Sequence, residues 1–172
     1  TITKALSIAQ ANDSILVEPG FYTVNIGEVF PLTMVSGVKL VGLKGAYVTK
    51  IDASGSSKNV MVINDCNVNT LVRGFSIQGG YVQGDVTSFD NRAYGAGVRF
   101  TNYDSTIFER NIVTANYCVG YQGAISGMNI NGGDAEGSGI FIESECKSTI
   151  RNCVISFNYS IGGPGRGYGG GF

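Results

Sequence analysis

The chain contains no histidine and no tryptophan. The missing imidazole excludes Ser-His-Asp and Cys-His catalysis, histidine-ligated zinc and any imidazole acid or base. Charge is scarce. Twelve basic and 13 acidic side chains make up 15% of the residues and leave a formal net charge of −1. That balance predicts no nucleic-acid binding by bulk charge. No apolar run approaches the roughly 18 residues of a membrane span, so none is expected. Proline occurs three times, and the glycines have no three-residue period, which excludes collagen. The four cysteines, 66, 118, 146 and 153, form no C-x-x-C pair, so a zinc ribbon and a thioredoxin motif are excluded. They read as small buried hydrophobes; three pairings stay open if all four are oxidised.

What is present points to one domain. The 172 residues are 43% hydrophobic, too apolar for disorder. Glycine, at 26 residues, is about twice its usual share of roughly 7%. Residue 1 is Thr, and no charged and then apolar leader precedes the fold; a processed mature form or an excised piece is expected. Helical spacing of Ile2, Ala5, Leu6 and Ala9 predicts a helix over residues 2–11, stopped by Asn12 and Asp13. Beyond it, short β-branched runs such as 14–17, 38–41, 60–63, 97–100 and 139–142 alternate with Gly, Asn, Asp and Ser, and read as strands.

Internal repetition decides the architecture. Residues 96–117 align without a gap on residues 138–159, a shift of 42. Val98 then matches Ile140, Phe100 matches Ile142, Phe108 matches Ile150 and Tyr117 matches Tyr159. A looser copy lies 36 residues upstream, with Ile77 under Val113 and Tyr81 under Tyr117. Two shorter units fill 14–37 and 38–59. One such unit cannot bury its own apolar face, whereas stacked units hydrogen-bond strand to equivalent strand, in parallel. The prediction is an all-β, right-handed parallel β-helix of about five coils. The single domain spans 1–172, with a helical cap at 1–13, the first coils in 14–81, and insertions at 82–95, 118–137 and 160–168. The insertions leave from one corner and are expected to stack into a lateral lobe. An antiparallel sandwich also has short strands, but does not need in-phase copies.

Specific residues carry a family resemblance. Asp13-Ser-Ile-Leu-Val-Glu-Pro-Gly-Phe-Tyr22 resembles the GDTIxVxPGxY opening of β-helix proteins of the pectin-lyase-like superfamily. Together with Phe30-Pro-Leu-Thr33, Ser36-Gly-Val-Lys-Leu-Val-Gly42 and Gly74-Phe-Ser-Ile-Gln-Gly-Gly80, it is similar to the DUF1565 domain. Ser148-Thr-Ile-Arg-Asn-Cys-Val-Ile155, followed by Gly169-Gly-Gly-Phe172, resembles the repeats of secreted bacterial β-helix proteins. The resemblance implies a secreted or cell-surface location. It implies no single activity, since the superfamily holds lyases, hydrolases, adhesins and structural proteins. The N-terminal helix would cap the first coil. The uncapped C-terminal end predicts either a fragment of a longer solenoid or end-to-end self-association.

The chemistry of the enzymes on this fold finds little support. The hydrolases use clustered Asp and a Gly-His-Gly segment, and His is absent. Glu109, Glu143 and Glu145 offer no obvious stacked carboxylate pair. The lyases use an Arg or Lys base. Arg99 aligns with Phe141 and Arg110 with Asn152, so Arg99, Arg110 and Arg151 read as solvated, outward-facing side chains. Asp85, Asp90, Asp134 and Glu136 are calcium-type donors, but Gly133-Asp-Ala-Glu-Gly137 lacks a D-x-D-x-D-G pattern. No catalytic residue, metal or other cofactor is expected. Tyr81, Tyr117 and Tyr159 form an expected ladder at one corner, flanked by Tyr94 and Tyr121 and by Phe89 and Tyr168. Such a strip either packs the exits of the insertions or stacks on sugar rings. Asn116 and Asn158 read as an Asn ladder that also takes the left-handed bend. The expected function is a non-catalytic extracellular structural and recognition module for surface glycan or a protein partner. A polysaccharide lyase-like enzyme and a self-stacking filament subunit are the alternatives.

Overall fold

A computed structural model describes residues 1–85, 92–122 and 132–163. Phe89, Asp90, Tyr168 and the segment 164–172 lie outside the described residues. Helix α1 (Ile2–Ile8) is followed by strands that wind into five coils. Coil 1 holds β1 (Ser14–Val17), β2 (Gly20–Thr23) and β3 (Leu32–Thr33). Coil 2 holds β4 (Lys39–Gly42), β5 (Thr49–Asp52) and β6 (Met61–Asn64). Coil 3 holds β7 (Leu71–Arg73), β8 (Ser76–Gln78), β9 (Tyr81–Gln83), β10 (Ala93–Tyr94) and β11 (Val98–Thr101). Coil 4 holds β12 (Ile107–Glu109), β13 (Ile112–Thr114), β14 (Tyr117–Val119), β15 (Ala135–Glu136) and β16 (Ile140–Ile142). Coil 5 holds β17 (Thr149–Arg151), β18 (Val154–Ser156) and β19 (Tyr159–Ile161).

Equivalent strands pair in parallel to form sheet A (β1-β4-β7-β12-β17), sheet B (β2-β5-β8-β13-β18) and sheet C (β3-β6-β11-β16). This is a parallel β-helix. The repeat alignments are its registers: Val98 pairs with Ile140, Phe108 with Ile150, Val113 with Ile155 and with Ile77, and Tyr117 with Tyr159 and with Tyr81. The unit 38–59 needs correction. It carries only the sheet A and sheet B strands of coil 2, and β6, beyond it, closes that coil under β11.

The core is a set of columns running along the helix axis. Sheet A contributes Ile15, Leu40, Val72, Phe108 and Ile150. Sheet B contributes Tyr22, Ile51, Ile77, Val113 and Ile155. Sheet C contributes Leu32, Met61, Val98 and Ile140, backed by Ile63 and Phe100. Phe100 meets Phe108 edge-on, centroids 5.7 Å apart, which locks sheet C to sheet A. All four cysteines are free thiols. Cys66 lies in the main core, with Cys146 and Cys153 packed against it. Cys118 sits in a smaller core, where burial pushes its thiol up to about 11.

Helix α1 ends at Ile8 rather than residue 11, because local bonds compete with the helix. The Asp13 carboxylate accepts from the Gln10 N–H, and Asn12 bends into the left-handed region at φ 79°. The buried Glu28 carboxylate accepts from the Ile2 and Thr3 N–H groups at 2.6 and 2.8 Å. It thus pins the helix start over β1 and β3, with Ile2 and Leu6 turned inward.

The turns are stacked as strictly as the strands. Gly74, Arg110 and Asn152 all take positive φ at the corner from sheet A to sheet B, as do Gly79, Ala115 and Phe157 at the end of sheet B. The left-handed bend beside the asparagines is therefore made by Ala115 and Phe157, not by Asn116 and Asn158. The Asn ladder itself is present. The Asn116 amide N–H donates to Asn158 Oδ1 at 2.9 Å and to the Thr114 and Ile77 carbonyls, while its Oδ1 accepts from the Gly80 N–H. Asp104, fully buried, plays the same part between sheets C and A. Its carboxylate accepts from the Cys66 and Thr106 N–H groups and from the Thr106 and Ser148 hydroxyls.

The stacked turns and the Asn ladder make three stability predictions. A Cβ at Gly80 would collide with the Ala96 carbonyl, so Gly80→Ala should lower unfolding free energy by about 1–3 kcal/mol. Ala115→Gly, which relieves a positive φ, should raise it by up to about 1 kcal/mol, both measured by urea unfolding. Asn116→Ala strands several buried backbone groups and should cost about 2 kcal/mol, more than Asn158→Ala at the edge of the stack.

Candidate functional site

The chain leaves the coil after sheet B in coils 3 and 4 and returns at sheet C. Outgoing strands β9, β14 and β19 pair as sheet D, and returning strands β10 and β15 pair as sheet E. Ala93, Ala96, Cys118 and Ala135, with Val82 against them, fill the space between. The described side chains between the two sheets are small, and the sheets present two flanks.

One flank meets sheet B at a concave corner. Tyr81, Tyr117 and Tyr159 stand in register on β9, β14 and β19, 39–49% exposed. The Tyr117 and Tyr159 rings stack at 5.2 Å with their planes 16° apart. Tyr81 directs its hydroxyl to Gln83 Oε1, 3.2 Å away. Tyr81 and Tyr117 border a groove of about 430 Å³, floored by Gly79, Gly80 and Ala115 and walled on its far side by Ser54, Gly55, Ser57 and Gln78. Gln78 donates to Asp52 at 2.9 Å, and the Ser54 N–H donates to the other oxygen of that carboxylate. Burial alone would raise the Asp52 carboxyl; the bonds from Ser54 and Gln78 and the Lys50 charge bring it below the usual carboxylate range. Asp52 is therefore an ionised acceptor that fixes Ser54 and Gln78 in the groove wall.

The other flank receives Tyr94. Its ring lies 4.7 Å from Phe141, with Arg92 and Arg99 at 5.2 and 5.4 Å. Arg99 also bonds Glu143 at 3.3 Å. The structure thus brings Tyr81, Tyr117 and Tyr159 together and places Tyr94 over sheet C, away from them. Tyr121 follows β14 and is half-buried; its carbonyl accepts from the Gly133 N–H inside the lobe.

Sheet A carries a second arrangement. Arg73, Glu109 and Arg151 form one outward column, with ion pairs of 3.6 and 2.7 Å on either side of the carboxylate. Arg151 is therefore held rather than freely solvated, and so is Arg99. The Arg151 bond holds the Glu109 carboxyl below its usual range, outweighing burial, with the charges of Arg151, Arg73 and Arg110 adding to it. The shifts of 36 and 42 already align these three residues; reading the repeat for charge as well as for apolar residues finds them.

The fold and corner define a parallel β-helix with a lateral lobe. The chain belongs to the family described as protein of unknown function (DUF1565), whose model matches residues 1–164. No curated protein and no solved structure matches it.

The sign of the Glu109 effect is testable. A carboxyl with a depressed folded-state value adds stability above its unfolded value, about 4.3, and loses it as pH falls through the folded value. Glu109→Gln should cost about 1 kcal/mol at neutral pH, since both arginines are well exposed. Urea titrations repeated down to about pH 3 should show that difference closing.

Proposed function

We propose that this chain is a non-catalytic recognition module that binds glycan at the tyrosine corner, in a secreted or cell-surface setting. The observation that carries the reading is the groove bordered by the exposed Tyr81 and Tyr117 on one side, with Tyr159 stacked on Tyr117 beyond it, and by Ser54, Ser57 and Gln78 on the other, Gln78 being held by Asp52. Aromatic faces suit the apolar faces of sugar rings, and a row of hydroxyl and amide groups suits their hydroxyls. A rigid solenoid holds both rows without ordering a loop at the moment of binding. Glycan is favoured over a protein partner because the lining alternates aromatic and polar groups around a narrow groove rather than offering a broad apolar patch. The secreted setting rests on the resemblance to secreted β-helix repeats.

Several carboxylates that an enzyme reading would draw on are already engaged. Glu109 is held by two arginines, Glu143 by Arg99 and the Asn102 N–H, and Asp104 by four donors. A second reading, self-stacking through coil 5, is favoured by the exposure of Val154, Phe157 and Ile161. Light scattering of the purified chain tests it: a concentration-independent monomer removes it.

A glycan array followed by calorimetry tests the main reading. Tyr117→Ala is expected to weaken a captured glycan by about tenfold or more, while the melting temperature shifts little. An array with no captured glycan, or binding indifferent to both Tyr117→Ala and Tyr81→Ala, overturns it.

A further inference from the structure

The turn from sheet A to sheet B is short in coils 1, 3, 4 and 5, at residues 18–19, 74–75, 110–111 and 152–153. Coil 2 spends residues 43–48 there instead. This excursion is built rather than slack. Its base is fixed at Gly42, where a Cβ would strike the Gly74 carbonyl. Within it, the Gly45 N–H donates to the Gly42 carbonyl, and the Val48 and Thr49 N–H groups donate to the Gly45 carbonyl. Two further bonds seat it on coil 1. The Leu43 N–H donates to the Val17 carbonyl and the Gly20 N–H donates to the Val48 carbonyl, each at 2.9 Å. Ala46 is turned inward and buried.

What the excursion turns outward is apolar. Tyr47 is 83% exposed, and Leu43 and Val48 are 43% and 46% exposed. A Cβ on Gly45 would meet nothing within 4 Å, so the tip projects into open space. Coil 1 adds Leu16, paired with Val41 on sheet A, and Phe21 on sheet B, at 60% and 62%. Single exposed apolar side chains are ordinary, but a group of them at one projecting corner marks an interaction surface. Lysines accompany the group. Lys44 lies on the excursion and is exposed, and Lys50 pairs with Phe21, its ammonium 5.1 Å from the ring centroid. Glu18 is the acidic side chain of the coil 1 turn.

We infer that this corner of coils 1 and 2 inserts into the interfacial layer of a lipid bilayer that carries anionic headgroups. Tyr47, Phe21, Leu16, Leu43 and Val48 enter the boundary between headgroups and acyl chains, while Lys44 and Lys50 lie along it against lipid phosphates. Shape and composition favour a bilayer over a protein partner. A protein interface needs a complementary surface and is depleted in lysine. A membrane surface accepts a projecting tip, favours tyrosine at headgroup depth, and takes lysine with its stem on apolar surface and its ammonium in water. Lys50 over the Phe21 ring already has that posture. A tip held by backbone bonds to the solenoid pays little ordering entropy when it inserts. The inference is independent of the tyrosine corner, which lies at the opposite edge of sheet B.

The test sediments the intact chain with vesicles of phosphatidylcholine alone, or of phosphatidylcholine and phosphatidylglycerol in equal parts, at low and high salt. Expected is binding to the mixed vesicles that weakens with salt and is much lower on phosphatidylcholine alone. Tyr47→Ser should weaken it by about tenfold and Lys44→Gln by about fivefold. Tyr103→Ser, at an exposed residue in the turn between sheets C and A, should bind as the parent does. Circular dichroism checks that each variant is folded. The chain has no tryptophan, so Tyr47→Trp and Tyr103→Trp each supply one indole reporter. With mixed vesicles the emission of the first should move to the blue and that of the second should stay. No binding to mixed vesicles at low salt, a Tyr47→Ser variant that binds as the parent does, or indoles that shift alike would each overturn the inference. Lipid-free association in light scattering that Tyr47→Ser abolishes would also overturn it, and would assign the corner to a second copy of the chain.

Discussion

A single coil of this chain satisfies none of its strand hydrogen bonds internally. Every backbone donor and acceptor in β7, for example, that faces along the axis must find β4 below or β12 above. The same stacking forms the apolar columns, since side chains in register on paired strands lie over one another. Burying a backbone group without a partner costs free energy of the order of a lost hydrogen bond, so register is not negotiable from coil to coil. The buried polar side chains obey the same rule. Asp104, Asn111 and Asn116 each bind backbone groups of a neighbouring coil at a corner where the strands stop.

The frame also varies between sheets A and B, where coil 2 spends residues 43–48, but its largest departures fall between sheets B and C. There the chain departs and returns, and the departures copy one another closely enough to pair. The tyrosine corner is a product of that pairing. Tyr117 and Tyr159 stack because β14 and β19 are in register, not because of any affinity sufficient to hold two exposed rings together. At the turn between sheets A and B, Gly42 of coil 2 and Gly74 of coil 3 approach so closely that neither has room for a Cβ.

Much of this was legible in the sequence because the repeat and the register are the same thing. Val98 over Ile140 and Tyr117 over Tyr159 follow from a shift of 42 alone. Legibility fails where the shift changes within a coil. From coil 2 to coil 3, Leu40 pairs with Val72, Ile51 with Ile77 and Met61 with Val98. Those spacings differ from one another, so no single offset aligns the coils, and the unit at 38–59 was cut short. The Asp52–Gln78 contact hides for the same reason. The position of Tyr94 is hidden for another: its side of the lobe depends on where the returning strand runs, and its described partner in the next coil is Glu136, which carries no ring. The end of α1 depended on a local competition between Asp13 and the helix ladder that periodicity does not register.

The number of paired strands changes along the axis. Coils 1 and 2, like coils 2 and 3, are joined through sheets A, B and C, whereas coils 3 and 4 are joined through all five sheets. In a quasi-one-dimensional molecule each junction acts as a nearest-neighbour coupling, and among the described residues the junction of coils 3 and 4 has the most strand pairs. Loss of order that enters through coils 1 and 2 therefore stalls at coils 3 and 4. A tension applied along the axis is borne by five strand pairs at that junction, and fewer on its N-terminal side. The lobe, whatever it binds, is also the clamp that holds coil 3 to coil 4.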